Sequence, residues 1–390
     1  MRMFARRDGF GLPAALLAIV VVGALVTGGL YTAMSEDRNS GNAQFGNHAY
    51  LAAERGIEDI FGTRTRPYFE TIAIGQADTI GPVALTIDNV QAQYTVVVQR
   101  LNTLLFKVES EGEVTSGGRY AGSSRRLAQM MRINYTYVPK DRAYTTQGPI
   151  RIRGQSAING ADTVPTNWPE CVDMGVQTGV ITKDLTMIDV PPGGGNPALY
   201  GNPDKKEDPT LDYESFAEFG DMNVDELKLY ADKVLAPNGT YTSIQPSVTG
   251  TGACNKADLL NWGDPSNAAG VCHYYWPIIY APGDVHLSGG RGQGILIVEG
   301  QLEVSSNFEF AGIVFIYKNI KATGTGNKIF GTVNILGSEV SDLGMTGAGN
   351  TQIRLSSCAI ERAHRYSDRF ARPIPLGERK FVDISALGVD

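Results

Sequence analysis

Histidines, cysteines and a few carboxylates are the side chains of this chain that could do chemistry. None of the histidines has a partner at the two- to five-residue spacing of a zinc motif, and no P-loop, nucleophile elbow or His-Glu-x-x-His element is present. His286 alternates with Val285 and Leu287, which predicts a solvent-facing strand position. The sequence therefore predicts no metal and no cofactor. The histidines are His48, His273, His286 and His364.

Acidic residues on predicted strands are the second candidate for chemistry. Some parallel β-helices cleave polysaccharides with carboxylates in a groove, and two carboxylates that act on one sugar must lie a few ångströms apart. Carboxylates on strand faces more often point into solvent. We therefore predict no catalytic residue and no enzyme activity. The carboxylates considered are Asp284, Glu299, Glu303 and Glu309.

The four cysteines, Cys171, Cys254, Cys272 and Cys358, include no Cys-x-x-Cys pair. In an oxidising compartment such cysteines favour disulfides over a zinc site, and four cysteines allow three pairings. We favour Cys254–Cys272, which closes a short loop, together with Cys171–Cys358, which joins distant segments. The sequence leaves the three pairings open.

Composition limits the classes of partner and fold. The net charge is −7 and the lysines and arginines are scattered, so no nucleic-acid partner is predicted. The chain has 390 residues, enough for two domains, and its 46 glycines among alternating apolar segments indicate a turn-rich β protein.

The elements that position these residues begin with an uncharged apolar stretch at residues 10–34. A helix of about 24 residues would span a bilayer core of roughly 30 Å. Arg2, Arg6 and Arg7 precede the stretch, so we predict a single-pass protein of a bacterial inner membrane with a cytoplasmic N-terminus. Everything after residue 34 would then be periplasmic or extracellular. The apolar run continues into a polar helix, which indicates an anchor that is retained.

A basic leader at residues 1–9 ends in Gly9, and Phe10 opens the apolar helix. This arrangement resembles the class III signal of type IV pilins and pseudopilins. The resemblance implies that a prepilin peptidase cuts between Gly9 and Phe10, that Phe10 is N-methylated, and that other pilins contact the helix. Residues 35–42 and 49–58 resemble PilX-type minor pilins more specifically.

Ala14 departs from the pattern of this family. Most major pilins carry a glutamate four residues after the first residue of the mature chain, where it is thought to neutralise the amine of a neighbouring subunit. An unpaired ammonium in an apolar filament core is costly. The pseudopilin at the tip of type II secretion pseudopili also lacks this carboxylate. The departure therefore implies a tip or initiation subunit present in few copies.

An amphipathic helix and period-two strands predict an α+β head at residues 35–145. Tyr94, Val96 and Val98 share one strand face, and further alternating segments follow through residue 137. Small residues in the helix stripe would let it lie close to an antiparallel sheet. The stripe consists of Phe45, Ala49, Ala52, Ala53, Gly56, Ile57 and Ile60.

A repeat predicts a β-solenoid, or β-helix, at residues 146–365. Segments headed by Gly294, Gly312 and Gly331 recur every 18 to 19 residues, each with a second short strand in the period. An irregular antiparallel sandwich is the alternative. We predict an insertion at about residues 172–270, with a helix capped by Asn223 and Glu226, and a tail at 366–390. Motifs at 261–265, 292–296 and 356–360 resemble large PilX-like proteins.

These features favour a minor pilin of a type IV pilus that primes assembly or lies at the tip. It would display a β-rich domain that adheres to a surface or polysaccharide. Two alternatives stay open: a tip pseudopilin of a type II secretion system, and a membrane-anchored envelope protein, glycan-binding or enzymatic, with no filament role.

Overall fold

A computed structural model describes residues 11–133, 138–165, 168, 170–190, 198–219, 222–344, 349–367, 373–377 and 381–385. The chain divides into two compact units, one of Met1–Thr63, Ile72–Arg132 and Pro375–Asp390, the other of Arg64–Thr71 and Ile133–Ile374.

The helices are α1 (Gly11–Thr63), α2 (Arg66–Thr71), α3 (Glu214–Ala217), α4 (Val224–Lys228) and α5 (Ser357–Tyr366). The strands are β1 (Ala77–Ile87), β2 (Val90–Arg100), β3 (Leu105–Val114), β4 (Ser124–Ile133), β5 (Arg142–Thr146), β6 (Ile150–Ile152), β7 (Ala157–Asn159), β8 (Thr178–Thr182), β9 (Ile188–Asp189), β10 (Leu199–Tyr200), β11 (Lys205–Glu207), β12 (Glu218–Phe219), β13 (Met222–Asn223), β14 (Lys233–Val234), β15 (Gly239–Ile244), β16 (Ile278–Ala281), β17 (Val285–Val298), β18 (Leu302–Ser305), β19 (Glu309–Ile316), β20 (Ile320–Ala322), β21 (Thr325–Ile335), β22 (Ser341–Leu343), β23 (Asn350–Leu355), β24 (Pro373–Pro375) and β25 (Val382–Asp383). The fold class is α+β, as predicted.

The first unit is built from α1 and an antiparallel sheet. Strands β1 to β4 pair in chain order, and β24 and β25 join the same sheet beside β4. Tyr94, Val96 and Val98 are buried on one face of β2, as their spacing predicts. Between β2 and β3 the chain turns, and the Leu101 amide donates to the Leu105 carbonyl.

The second half of α1 packs on that sheet through its small residues. Ala49, Ala52, Ala53, Ile57 and Ile60 are all buried, which confirms the predicted stripe. A short side chain at these positions lets the helix backbone approach the strands closely, and the branched residues fill the remaining space.

Three parallel ladders make up most of the second unit. The first ladder runs β14–β16–β17–β19–β21–β5–β8–β11, the second β15–β17–β18–β20–β22–β6–β9, and the third β17–β19–β21–β23–β7–β10. Ladder neighbours that are close in sequence are joined by crossovers, as parallel pairing requires, whereas β21 pairs with β5 from a distant part of the chain.

The predicted repeat appears in the register of these ladders. Gly294 pairs with Gly312, and Gly312 pairs with Gly331. All three glycines have positive φ, at 127°, 142° and 137°. A Cβ at Gly312 would overlap the Gly294 carbonyl oxygen, so both the backbone conformation and the close approach require glycine.

Two predicted boundaries differ from the structure. The compact units divide at residues 132 and 133 rather than at 145 and 146, because β5 pairs with β8 and β21. The segment 172–270 was predicted as an insertion, but β8, β11, β14 and β15 from it extend the parallel ladders. These strands have two to six residues, too few to reveal a period.

The helix predicted inside that segment is present but short. The Asn223 side chain accepts from the Glu226 amide, and the Glu226 side chain accepts from the Asn223 amide, so the capping box is confirmed. The helix ends at Lys228, and Val234 lies in β14 with 57% of its surface exposed. The tail also contains structure, since β25 pairs with β4.

Candidate functional site

The first half of α1 is an apolar surface without cover in the chain itself. Every residue from 15 to 40 is exposed, and apolar side chains such as Leu17 and Tyr31 reach 69% and 77% exposure. In the part of the chain that the structure describes, this helix has a segment long and apolar enough to cross a membrane, by length and composition. An apolar surface of this size requires lipid or protein around it.

The second half of α1 is fixed to the sheet by close backbone approach. A Cβ at Gly56 would lie 2.9 Å from both Tyr94 Cδ2 and Val96 Cγ2. A Cβ at Gly112 of β3 would lie 2.9 Å from Ala52 Cβ. Between the two halves, the Phe45 ring stacks on Tyr120, with centroids 4.8 Å apart. One continuous helix thus has a free apolar half and an anchored half.

The predicted processing site lies outside the described residues. Gly9 and Phe10 both fall there, so cleavage and methylation stay predictions. Ala14 lies within α1.

Two disulfides connect the four cysteines. Cys254 pairs with Cys272, and Cys171 pairs with Cys358, the pairing favoured from the sequence. Buried Asn261 organises the loop of the first disulfide. Its Nδ2 donates to the carbonyls of Ser247 and Asn255 at 3.0 and 2.9 Å, and its Oδ1 accepts from the Gly263 amide.

A buried polar cluster surrounds the second disulfide. The Arg362 guanidinium lies 4.0 Å from the centre of the Trp168 ring and is ion-paired with Glu170. Arg362 also lies within hydrogen-bond distance of His273, with Nη1 2.7 Å from His273 Nε2. Burial lowers the pKa of Arg362. The Trp168 indole donates to the Pro265 carbonyl at 2.8 Å, so the cluster fixes the loop at 265.

The histidines are not brought together. His48 Nε2 lies 3.7 Å from Asp88, His286 Nε2 lies 2.9 Å from the Ser305 hydroxyl, and His364 Nε2 accepts from the Val138 amide. His286 is half-buried between buried Val285 and Leu287, so the predicted alternation holds. Among the residues that the structure describes, no three His, Cys, Asp or Glu side chains form a group that could hold a metal ion.

The four carboxylates considered for catalysis lie in different surroundings. Glu299 lies 2.9 Å from Lys228 Nζ. Asp284 accepts from the Gln301 amide and lies 3.2 Å from Lys318 Nζ, and these two contacts lower the pKa of its carboxyl. Glu303 sits in register between His286 and Lys321, and Glu309 sits between Arg291 and Lys328.

Glu309 is part of a groove that the sequence analysis did not identify. The groove has a volume of about 510 Å³. Its lining residues are Thr163, Val164, Pro165, Pro265, Ser266, Arg291, Glu309, Ala311, Lys328, Phe330 and Arg354. A signal was present in the repeat: Arg291, Glu309 and Lys328 each precede a repeat glycine by three residues, so aligned repeats place them in one column.

Comparison with known proteins gives little. No family model and no curated protein matches the chain. Among solved structures, the crystal structure of the competence-associated pilin ComZ from Thermus thermophilus is similar over 87% of this chain and 97% of that chain, at 12% identity. The TM-score is 0.23, which is too low to carry an argument about fold or function.

Proposed function

We propose that this chain is a minor pilin of PilX type that primes assembly of a type IV pilus or lies at its tip. The chain would display its own β-rich second unit. The observation that carries the proposal is the division of α1 into two halves. Residues 15–40 are exposed and apolar up to residue 34, whereas the stripe from Ala49 to Ile60 is buried on an antiparallel sheet. A subunit that must leave lipid and enter a filament core needs such a helix.

The mechanism is a transfer of apolar surface from lipid to protein. In the membrane, acyl chains cover the exposed half of α1. In the filament, the helices of neighbouring pilins replace the acyl chains, so no water contacts the surface at either stage. The rigid attachment of Ala52 and Gly56 to the sheet transmits the position of the helix to the head.

The remaining parts take their roles from this proposal. Residues 1–9 are the leader, residues 10–34 the membrane half of the helix, and Phe10 the methylated first residue. The chain after residue 34 is periplasmic or extracellular. The second unit is a β-solenoid, supported by the parallel register of Gly294, Gly312 and Gly331. The protein is not an enzyme, and it binds other pilins.

A second candidate is the tip pseudopilin of a type II secretion system. Ala14 favours it, since that subunit lacks the usual carboxylate. Both roles share the same processing, so the presence of the protein in surface filaments or in a secretion complex distinguishes them.

Processing tests the proposal directly. The full chain is produced in bacteria with and without a prepilin peptidase, extracted from membranes, and analysed by intact mass and N-terminal sequencing. We expect a start at N-methylated Phe10 only with the peptidase, and an uncut chain for Gly9→Val. An uncut wild-type chain in both strains would contradict the pilin role and leave an anchored envelope protein.

Transfer through the membrane half is tested separately. Val20 is 67% exposed, and Val20→Asp places a carboxylate in the apolar surface, which costs roughly 3 kcal/mol at the centre of a bilayer. We expect loss of the protein from filaments. Asn42→Asp introduces the same charge at an exposed position beyond the apolar segment and should leave incorporation unchanged.

A further inference from the structure

The groove beside Glu309 has the charge pattern of a binding site. Three of its lining residues are cations, Arg291, Lys328 and Arg354, and one is a carboxylate. Within the described parts of the chain, none of these four side chains takes part in an ion pair. Arg291 Nη1 donates to the Ser266 hydroxyl at 2.6 Å, a neutral partner that leaves the other donors of the guanidinium available to a ligand.

The ladder register sets the spacing of these charges. Arg291, Glu309 and Lys328 occupy one position on three successive strands. Adjacent strands are about 4.8 Å apart, so the two cations are separated by roughly 10 Å with the carboxylate midway. Arg354 pairs in register with Phe330 in the neighbouring column.

Arg354 carries an unused buried donor. Its Nε is buried and has no hydrogen-bond partner, while the residue as a whole is only half-buried. A buried donor of this kind costs free energy until an acceptor reaches it.

The floor and walls are apolar and rigid. Ala311 and half-buried Phe330 form the floor, and Val164, Pro165 and Pro265 contribute to the walls. Trp168 holds the Pro265 carbonyl, and Asp162 accepts from the Ser357 amide at 2.8 Å, so the walls are tied to α5. The groove is therefore preorganised, which reduces the entropy lost on binding.

We propose that this groove binds an acidic polysaccharide, a chain of sugar rings that carry carboxylates. The guanidinium groups of Arg291 and Arg354 and the Lys328 ammonium bind the sugar carboxylates. Glu309 accepts hydrogen bonds from sugar hydroxyls, and the Phe330 ring contacts a sugar face. The backbone of duplex DNA and inorganic phosphodiester polymers offer no hydrogen-bond donor to Glu309, whereas every sugar ring offers hydroxyls. Glu309 therefore favours a sugar ligand over a polyphosphate.

The inference concerns the display role proposed above, but its test needs no filament, so its failure leaves processing and assembly untouched. Full-length protein in detergent is titrated with a short oligogalacturonate, a neutral glucan oligomer of equal length, inorganic phosphate and a DNA duplex. We expect saturable binding of the oligogalacturonate that weakens as salt rises, and none of the neutral oligomer.

Variants assign the binding to the groove. Arg291→Gln and Arg354→Gln should each weaken oligogalacturonate binding roughly tenfold, the loss of one charge-assisted contact. Arg151→Gln, an exposed strand arginine outside the groove, should leave it unchanged. Glu309→Ala separates the ligand classes: it should weaken saccharide binding by loss of an acceptor, whereas capture of a plain anion would be strengthened.

The contrary outcomes are distinct. Equal binding of neutral and acidic oligomers, unchanged affinity in Arg291→Gln and Arg354→Gln, or tighter binding by Glu309→Ala would each overturn the proposal. Preferential binding of DNA or phosphate would overturn it in favour of a polyphosphate ligand.

Discussion

Gly56 of α1 lies directly against Val96 of β2, where a Cβ on the glycine would stand 2.9 Å from the valine Cγ2. The helix can approach the sheet this closely only because the side chain is absent. This contact fixes the second half of α1, while the first half of the same helix stays free of the chain's own core. Under the proposed function, this division lets the apolar half of α1 pass from membrane to filament while the rest of the unit stays folded.

The first prediction concerns this contact. Gly56→Ala should lower the free energy of unfolding by about 1–3 kcal/mol, the usual cost of overpacking. Gly62→Ala is the matched control, since nothing lies within 4 Å of its Cβ position. That variant should be stabilised by about 0.5–1 kcal/mol through helix propensity. Thermal unfolding in detergent measures both, and equal shifts would refute the close packing.

The second prediction concerns pH. Burial lowers the pKa of His364 to about 4 from an unfolded value near 6.5, because the charged imidazolium loses its hydration in the protein interior. The folded protein holds His364 in its neutral form. The contribution of this residue to the free energy of unfolding is therefore complete above pH 6.5 and is lost as pH falls toward 4. The total loss is about 3 kcal/mol.

Urea unfolding of the wild type and of His364→Asn measures this dependence. The wild type should lose stability steeply between pH 6.5 and pH 4, while the variant should be less stable at pH 7 and flatter across the same range. Parallel curves would show that His364 does not carry the pH dependence.

The third prediction concerns the short disulfide. Replacing Cys254 and Cys272 by serine removes a cross-link with a sequence separation of 18. The expected loss is roughly 3 kcal/mol, from the chain entropy of the opened loop. Peptide mapping without reductant checks the pairing independently. Recovery of a Cys254–Cys358 or Cys254–Cys171 peptide would contradict the structure.

The fourth prediction concerns Asn261, whose amide donates to two main-chain carbonyls from a fully buried position. Asn261→Asp puts a carboxylate against those carbonyls, and we expect a loss of roughly 3–5 kcal/mol, as for an uncompensated buried charge. Exposed Asn267 accepts from the Ala269 amide through its oxygen, which aspartate retains. Asn267→Asp should therefore be nearly neutral, and equal losses for the two variants would count against a buried network at 261.

The elements that could be predicted from the sequence are those whose pattern of apolar residues or glycines continues over several turns or repeats. The stripe of α1 spans several turns, and the glycines at 294, 312 and 331 repeat at near-constant spacing, so both were visible without a structure. The capping box at Asn223 was visible too, because its signal is purely local.

What the sequence did not reveal depends on pairing between distant segments. Strand β5 was assigned to the head because its five residues carry no mark of their partners β8 and β21. The groove was missed for a related reason: Arg354 joins Arg291 and Lys328 through ladder register, and the Pro265 carbonyl is bonded to Trp168, which is distant in sequence.

The central claim is that the free half of α1 carries the chain into a filament. The most direct test is mass spectrometry of filaments sheared from cells that produce the protein with its pilus machinery. We expect peptides of this chain in the filaments, with N-methylated Phe10 as the first residue. Absence from the filaments, with an uncut chain retained in the membrane, would contradict the account.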